Sequence, residues 1–396
     1  MMRQPRVLIV ADDLTGAMDS AGPFAAAGVE TWVVAVPMRC DPATLKSARV
    51  VSVNTDTRHL PADLAAARVR DIVGHLGAGG FDIVVKKIDS TLRGNVVAET
   101  MALLDISGRR EAVVAAAFPA QGRTVRGGVV HVDGRPLAQT AFAKDALSPP
   151  PLAPLQEVFA LAKPGLRVQT VTAAHALHDG ADNCGADIWV ADSEVDADLT
   201  GIVTRFAARA NDVLMVGSAG LTRALALVCF DGGPAPTSPQ RLTGTIVFAV
   251  GSRAMRSAEQ VESLSTEPET TVLRAPNGRL QSGKIPSAQN LVLKATADEA
   301  GHEGDAERVA ADMARHAIEI ARSAKAEALV ATGGDTAIAI LAASDNPALQ
   351  VLGDLMPGIP YARIRLGGTS LWLVTKAGGF GGRDTFRDVA RRLRGS

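Results

Sequence analysis

A chain of 396 residues, 47% hydrophobic and 21% charged, is long enough for two domains with separate cores and too apolar to be disordered. A formal net charge of −1 with 4% aromatic residues gives neither the electrostatic footprint nor the stacking platform of a nucleic-acid binder. Cys40, Cys184 and Cys229 are far apart with no C-x-x-C pair, and no apolar run approaches the ~18 residues of a membrane span, so a soluble, cytoplasmic chain without disulfides or structural zinc is expected.

The first apolar run, residues 7–10, stops at Asp12 and Asp13 and reads as a first strand, not a signal peptide. An aspartate at a strand end can accept a hydroxyl proton, and its neighbour can orient a hydroxyl. Adjacent strand residues point to opposite faces, so one of the two is expected to face a ligand. The pair can equally cap a helix beginning near Thr15. Strands are predicted next at 31–36, 50–53 and 81–85, the last running into KKIDSTLRGN at 86–95. There an apolar run gives way to Lys86, Lys87, Asp89, Ser90, Thr91, Arg93 and Asn95, and a helical segment follows at 96–104. Ligands of open α/β sheets bind outside the carboxyl ends of the strands, so this stretch suits a small polyhydroxylated anion. Arg93 and Arg123 lead as grips for a carboxylate, because the guanidinium fork matches it; Lys87 and Arg58 come second. Asp89, Ser90 and Gln121 are suited to read hydroxyls, or else to satisfy loop backbone. Further strands at 112–116, 188–191 and 213–216 also end in polar or glycine residues. His175 and His178 form an H-x-x-H with no third ligand and read as surface, while Trp32, Trp189 and Trp372 fall in predicted strands and read as core.

Residues 231–241, DGGPAPTSPQR, form the best linker, dividing a first domain (1–230) from a second (242–396). The second restarts the alternation with strands at 245–250, 271–273, 291–293, 328–330 and 371–374 and an amphipathic helix at 307–324. The expected fold is α/β, two domains each with a mostly parallel sheet flanked by helices, and an active site in the interdomain cleft. Glycine-rich turns follow the second domain's strands at Gly251-Ser252, at Gly333, Gly334, Asp335 and Thr336, at Gly367-Gly368, and at Gly378-Gly379. Such turns let backbone N–H groups approach phosphate oxygens, and a helix starting at Thr336 adds its positive end. Together they suggest a nucleotide. There is no G-x-x-x-x-G-K-[ST] and no clean G-x-G-x-x-G, which disfavours a P-loop enzyme and a dinucleotide dehydrogenase.

ADDLTGA (11–17), NTDTR (54–58), KKIDSTLRGN (86–95), FPAQGRT (118–124), GSAGL (217–221), TGGDTA (332–337) and KAGGFG (376–381) occur in an order that resembles the four-carbon acid sugar kinases. The resemblance implies a sugar-acid-binding first domain, a nucleotide-binding second domain, and ATP- and Mg²⁺-dependent phosphorylation of the 4-hydroxyl of threonate, erythronate or 3-oxo-tetronate. Carried over, it implies ATP contacts at Ser252, Gly333, Gly334, Asp335, Thr336 and Gly378, with Gly379 beside them. Some members have GGET for this chain's GGDT and KSGNFG for its KAGGFG, so Ala377 and Gly379 offer only backbone donors. TGGDT also looks like the base-bearing turn of the unrelated ribokinase-like kinases; the family resemblance instead places Asp335 near the nucleotide and its Mg²⁺. The competing functions are a non-catalytic sugar-acid-binding protein or sensor and, further off, a hydroxy-acid dehydrogenase. Metal ligands, the particular acid and a homo-oligomeric state are left open.

Overall fold

A computed structural model of the chain describes residues 4–145, 148–172, 185–230, 241–280, 285–297, 305–344 and 346–395. His175, His178, Cys184 and all of the predicted linker but Arg241 lie outside the described residues. The chain divides into two compact units, residues 1–33 with 37–235 and residues 34–36 with 236–396.

The first unit is built on strands β1 (Val7–Ala11), β2 (Thr31–Val34), β3 (Val50–Asn54), β4 (Ile83–Lys87), β5 (Glu111–Ala115), β6 (Arg123–Arg126), β7 (Val129–Val132), β8 (Arg135–Pro136), β9 (Val168–Val171), β10 (Ile188–Ala191) and β11 (Val213–Gly217). Its main sheet has the order β2-β3-β1-β4-β11-β5-β10-β9. Parallel pairing joins β3 to β1, β1 to β4, β4 to β11, β11 to β5, β5 to β10 and β10 to β9. The helices are α1 (Leu14–Ala26), α2 (Ala62–Leu76), α3 (Val96–Ile106), α4 (Leu155–Ala160), α5 (Asp196–Ala207) and α6 (Ala219–Cys229). β1 is buried along its whole length, as an unbroken VLIVA run requires of a strand covered on both faces. Each such fully buried Val, Leu or Ile contributes about 1.5–3 kcal/mol.

Chain order decides where chemistry can collect. After β1 the strands are added on one side, and β4 returns to β1's other edge, so the direction of winding reverses at β1. At such a switch point the loops leaving neighbouring strands diverge and open a crevice. The register puts Asn54 and Lys87 on either side of Ala11, one residue before Asp12.

The second unit contains β12 (Ile246–Val250), β13 (Thr270–Pro276), β14 (Asn290–Thr296), β15 (Ala328–Thr332), β16 (Ala348–Met356), β17 (Ile359–Leu366) and β18 (Thr369–Lys376). They lie in the order β13-β14-β12-β15-β18-β17-β16, parallel from β13 to β18 and antiparallel through β18-β17-β16. α7 (Met255–Ser265), α8 (Ala306–Ser323), α9 (Gly334–Ala342) and α10 (Thr385–Arg394) complete it. α8 buries Val309, Met313, Ala317 and Ile320, the helical spacing that identifies it in the sequence. Its core includes Phe248 against Phe386, ring centroids 5.5 Å apart, and Tyr361 edge-on to Trp372.

Several strands go beyond the sequence prediction. β6, β7 and β8 make a small antiparallel sheet of polar, glycine-punctuated strands, and β9, β16 and β17 were also not foreseen. α9 begins at Gly334, two residues before the predicted Thr336. Trp189 and Trp372 are core, but Trp32 is only half-buried, its indole N–H donating to Glu30 at 3.1 Å.

Candidate active site

In the first unit the polar groups gather at the switch point. Asp13 caps α1, its Oδ1 accepting from the Gly16 amide at 2.7 Å. Both aspartates nevertheless meet one guanidinium. Arg58 Nε and Nη2 donate to the two oxygens of Asp12 at 2.7 and 3.0 Å, and Nη1 donates to Asp13 Oδ2 at 2.7 Å. The alternation expected of a strand does not separate them, because β1 ends at Ala11 and the chain turns. The Asp12 side chain is 4% exposed and that of Asp13 18%. Burial alone would raise the Asp12 carboxyl, but Arg58, Lys86 and Lys87 outweigh it and hold it below the usual carboxylate range. The Asp12 carbonyl also accepts from the amides of Thr57 and Arg58, which pins the NTDTR loop onto the end of β1.

The KKIDSTLRGN stretch packs beside this pair. Lys86 is 1% exposed and reaches Glu99 of α3 at 2.8 Å; Glu99 is itself fully buried. The pair fastens β4 to α3 beneath the loop. Lys87 is buried too, donating to the Ile88 carbonyl at 3.0 Å. Asp89 accepts from the Thr91 hydroxyl, from the Thr91 amide at 3.1 Å, and from Arg93 Nε and Nη2 at 3.0 Å each. Burial opposes ionisation of Asp89, yet Arg93 and Arg58 carry its carboxyl well below the ordinary value. Gly94 fits a place that would strain any other residue. Its φ is +87°, and a Cβ there would stand 3.0 Å from Asp12 Oδ2. The half-buried Ser90 hydroxyl makes no hydrogen bond among the described residues.

Gln121 and Arg123 stand apart. They follow β5, two strand positions from β4 and so about 10 Å along the sheet. Arg123 donates to the Gln121 carbonyl, lies 5.8 Å from the Phe142 ring centroid, and keeps a buried Nε with no partner among the described residues.

Sequence reasoning missed Asp19 and Arg223. Asp19 lies one helical turn beyond Gly16, on the face of α1 where a Cβ on Gly16 would come within 3.2 Å of Lys87 Nζ. It accepts no hydrogen bond among the described residues. Burial raises its carboxyl to about 6, against the opposing pull of Lys87 and Arg223 and with help from Asp13 and Asp89. Arg223 of α6 has a buried Nε with no partner among the described residues. Helical spacing from Gly16 was the available signal for Asp19; for Arg223 there was none.

In the second unit three glycine turns meet. Register sets Val250, Thr332 and Lys376 side by side at the ends of β12, β15 and β18. The Gly251 amide donates to the Thr332 carbonyl at 3.3 Å, and the Gly333 amide to the Lys376 carbonyl at 3.1 Å. Ser252 is the common neighbour. A Cβ on Gly333, whose φ is +100°, would lie 3.4 Å from the Ser252 amide nitrogen, and one on Gly378 would collide with the Ser252 hydroxyl. A Cβ on Gly251 would likewise strike the buried Thr336 hydroxyl. Gly334 and Asp335 open α9, with Asp335 exposed in its first turn, and Gly379 borders open space. A cavity of about 150 Å³ beside Ser252 is lined by Arg253, Asn277, Lys294 and Thr296. Lys376 is 1% exposed; burial, with Arg256 nearby, pulls its pKa down to about 7.

Known proteins match both halves. A sugar-binding N-terminal domain matches residues 7–225, and a nucleotide-binding C-terminal domain matches residues 285–386. Relatives include the D-threonate kinases of Cupriavidus necator, 34% identical with 94% of each chain covered, and of Bordetella bronchiseptica, 33% identical with 99% of this chain and 98% of that one covered. The 3-oxo-tetronate kinase of Methylobacterium radiotolerans is 30% identical over 95% of this chain and 96% of its own. A crystal structure from Salmonella typhimurium LT2 shares the fold, with a TM-score of 0.77 at 20% identity over 98% of this chain and 99% of that one. A Bordetella bronchiseptica domain of unknown function, a domain-swapped dimer with bound citrate, has a TM-score of 0.51 at 31% identity over 98% and 99% of the two chains.

Proposed function

Because the chain belongs to the four-carbon acid sugar kinase family, we propose that it transfers the γ-phosphoryl group of ATP to the terminal hydroxyl of a four-carbon sugar acid, D-threonate ahead of the others. The observation that carries this reading is the meeting of three glycine turns at Ser252, a phosphate cradle that a sensor of sugar acids has no use for. D-threonate is ranked first because the 34% and 33% identical relatives carry that name, while the 3-oxo-tetronate kinase stands at 30%. Citrate in a related structure supports a hydroxy-acid ligand.

Phosphoryl transfer requires positioning and charge stabilisation more than covalent help from the protein. In this reading the first unit holds the acid. Arg58 and Arg93 already grip Asp12, Asp13 and Asp89 and act as a rigid frame. Lys87, whose Nζ makes one hydrogen bond among the described residues, and the Ser90 hydroxyl, which makes none there, are then the donors that reach the acid. The acid's hydroxyl oxygen attacks the γ-phosphorus, the bond to ADP breaks with its electrons leaving on ADP, and the hydroxyl proton passes to a carboxylate. We assign that role to Asp13 over Asp12, because its side chain is the more exposed of the two, 18% against 4%.

The second unit holds the nucleotide through Ser252, Gly333, Gly334, Thr336, Gly378 and Gly379. Mg²⁺ bound with ATP supplies charge neutralisation on the phosphates. Asp335 is the exposed carboxylate beside the turns, and no cluster of three or more His, Cys, Asp or Glu able to hold a metal occurs among the described residues. A metal arriving on the phosphates fits that donor set better than a resident one.

The test is a coupled ATP-consumption screen with Mg²⁺ over D- and L-threonate, the erythronates and 3-oxo-tetronates, with the product's phosphate position read by NMR. ATP turnover that no acid stimulates overturns the reading. Hydride transfer to NAD or NADP in the same screen replaces it with the dehydrogenase.

A further inference from the structure

Side chains hold the loop after β18 by its carbonyls, and within it the Phe380 amide donates to the Ala377 carbonyl at 3.1 Å. Lys376 Nζ donates to the carbonyls of Ala377 (2.6 Å), Gly378 (3.1 Å) and Phe380 (3.0 Å). Ser257 Oγ of α7 donates to the Gly378 carbonyl at 2.8 Å, and Gln260 Nε2, one turn further along α7, to those of Phe380 (2.9 Å) and Gly382 (2.8 Å). All three side chains are buried. Gln260 pins two carbonyls while its own buried Oε1 has no partner among the described residues, a costly arrangement. Among the described residues the amides of Gly378, Gly379, Gly381 and Gly382 donate to nothing.

We infer that Lys376, Ser257 and Gln260 are positioning residues for the nucleotide: by drawing the loop's carbonyls inward, they leave its glycine amides turned outward as a preformed nest for phosphate oxygens. Lys376 matters most, since its Nζ alone reaches three carbonyls. Without these anchors a run of glycines would sample many conformations, and the nucleotide would have to order the loop as it bound. The phosphate never touches Lys376, which is occupied on its far side.

The inference rests on the nucleotide reading of this loop, so its test is direct titration of the full-length chain with ATP and Mg²⁺, which needs no turnover. Lys376→Met keeps the aliphatic stem and removes the donors. It is expected to raise the Kd for ATP on the order of 10–100-fold, while the Kd for D-threonate, whose contacts are read as belonging to the other unit, stays within about 2-fold. Lys376→Arg should recover part of the loss. Ser257→Ala and Gln260→Leu are each expected to weaken ATP by about 3–10-fold, and together they carry the test if Lys376→Met does not fold. A loss of general stability would not select one ligand. Folded variants that keep wild-type ATP affinity, or that lose ATP and D-threonate alike, overturn the inference. A wild-type chain that binds no nucleotide overturns the reading beneath it.

Discussion

Asp19→Asn should make the protein more stable near neutral pH. Asp19 ionises at about 6 in the folded chain, against 3.8 ordinarily. Its folded pKa is raised, so its favourable contribution is complete below the unfolded value and lost as pH rises through the folded one. Between pH 4 and 6 the native state holds a proton that the unfolded state has released; above 6 both are ionised, and the folded chain carries a carboxylate in a poor environment. The gap corresponds to about 3 kcal/mol at 1.36 kcal/mol per pK unit. Water reaching the half-buried group reduces this to about 1–3 kcal/mol. Asparagine keeps the shape and removes the charge. Thermal unfolding followed by tryptophan fluorescence should show the variant's Tm raised at pH 7.5, by about 2–4 °C per kcal/mol for a unit of this size. The gain should shrink toward zero near pH 4. A variant less stable at pH 7.5, or a gain independent of pH, refutes the reasoning.

Arg58→Ala leaves Asp12 buried without its counter-charge and should cost about 3–5 kcal/mol, read by urea unfolding at pH 7. Because Asp12's folded pKa is depressed, that loss should narrow as pH falls below the ordinary carboxylate value, where the wild type loses the same pair. Gly94→Ala must adopt a φ of +87° with its methyl against Asp12; about 1–3 kcal/mol of destabilisation and weaker D-threonate binding with ATP affinity intact are expected from unfolding and titration. Asp13→Asn should lower kcat by about 10²–10⁴-fold with ATP affinity unchanged, and Asp335→Asn should mainly raise the KM for ATP. If kcat collapses only in the Asp335 variant, the base lies on the second-unit turn.

The parallel sheets were legible because each central strand is an unbroken apolar run, as in VLIVA and IVFAV, and such runs have few other uses. The switch-point cluster was legible because its residues are contiguous with strand ends. β6 and β7 were hidden, since RTVR and VVHV carry too little apolar surface to stand out from loop. The pairing of charges was hidden as well: Arg58 and Arg93 look in sequence like free hands for a substrate, and only the fold reveals that carboxylates of the chain itself occupy them. Lys376 has the same history in reverse. In sequence it ends a strand, and Ser257 and Gln260, which hold the same loop, lie more than a hundred residues before that loop.

The buried Lys86–Glu99 pair bears on how this sequence can drift. Replacing either residue alone strands a charge in the core, a step of about 3–5 kcal/mol that a marginally stable protein rarely survives. Replacing both with well-packed apolar residues such as Met and Leu strands neither, and loses only the pull of Lys86 on the Asp12 carboxylate. Two viable sequences are thus separated by an inviable intermediate at each single step. The two positions should change together or not at all, and an evolutionary path through them needs stability gained elsewhere first.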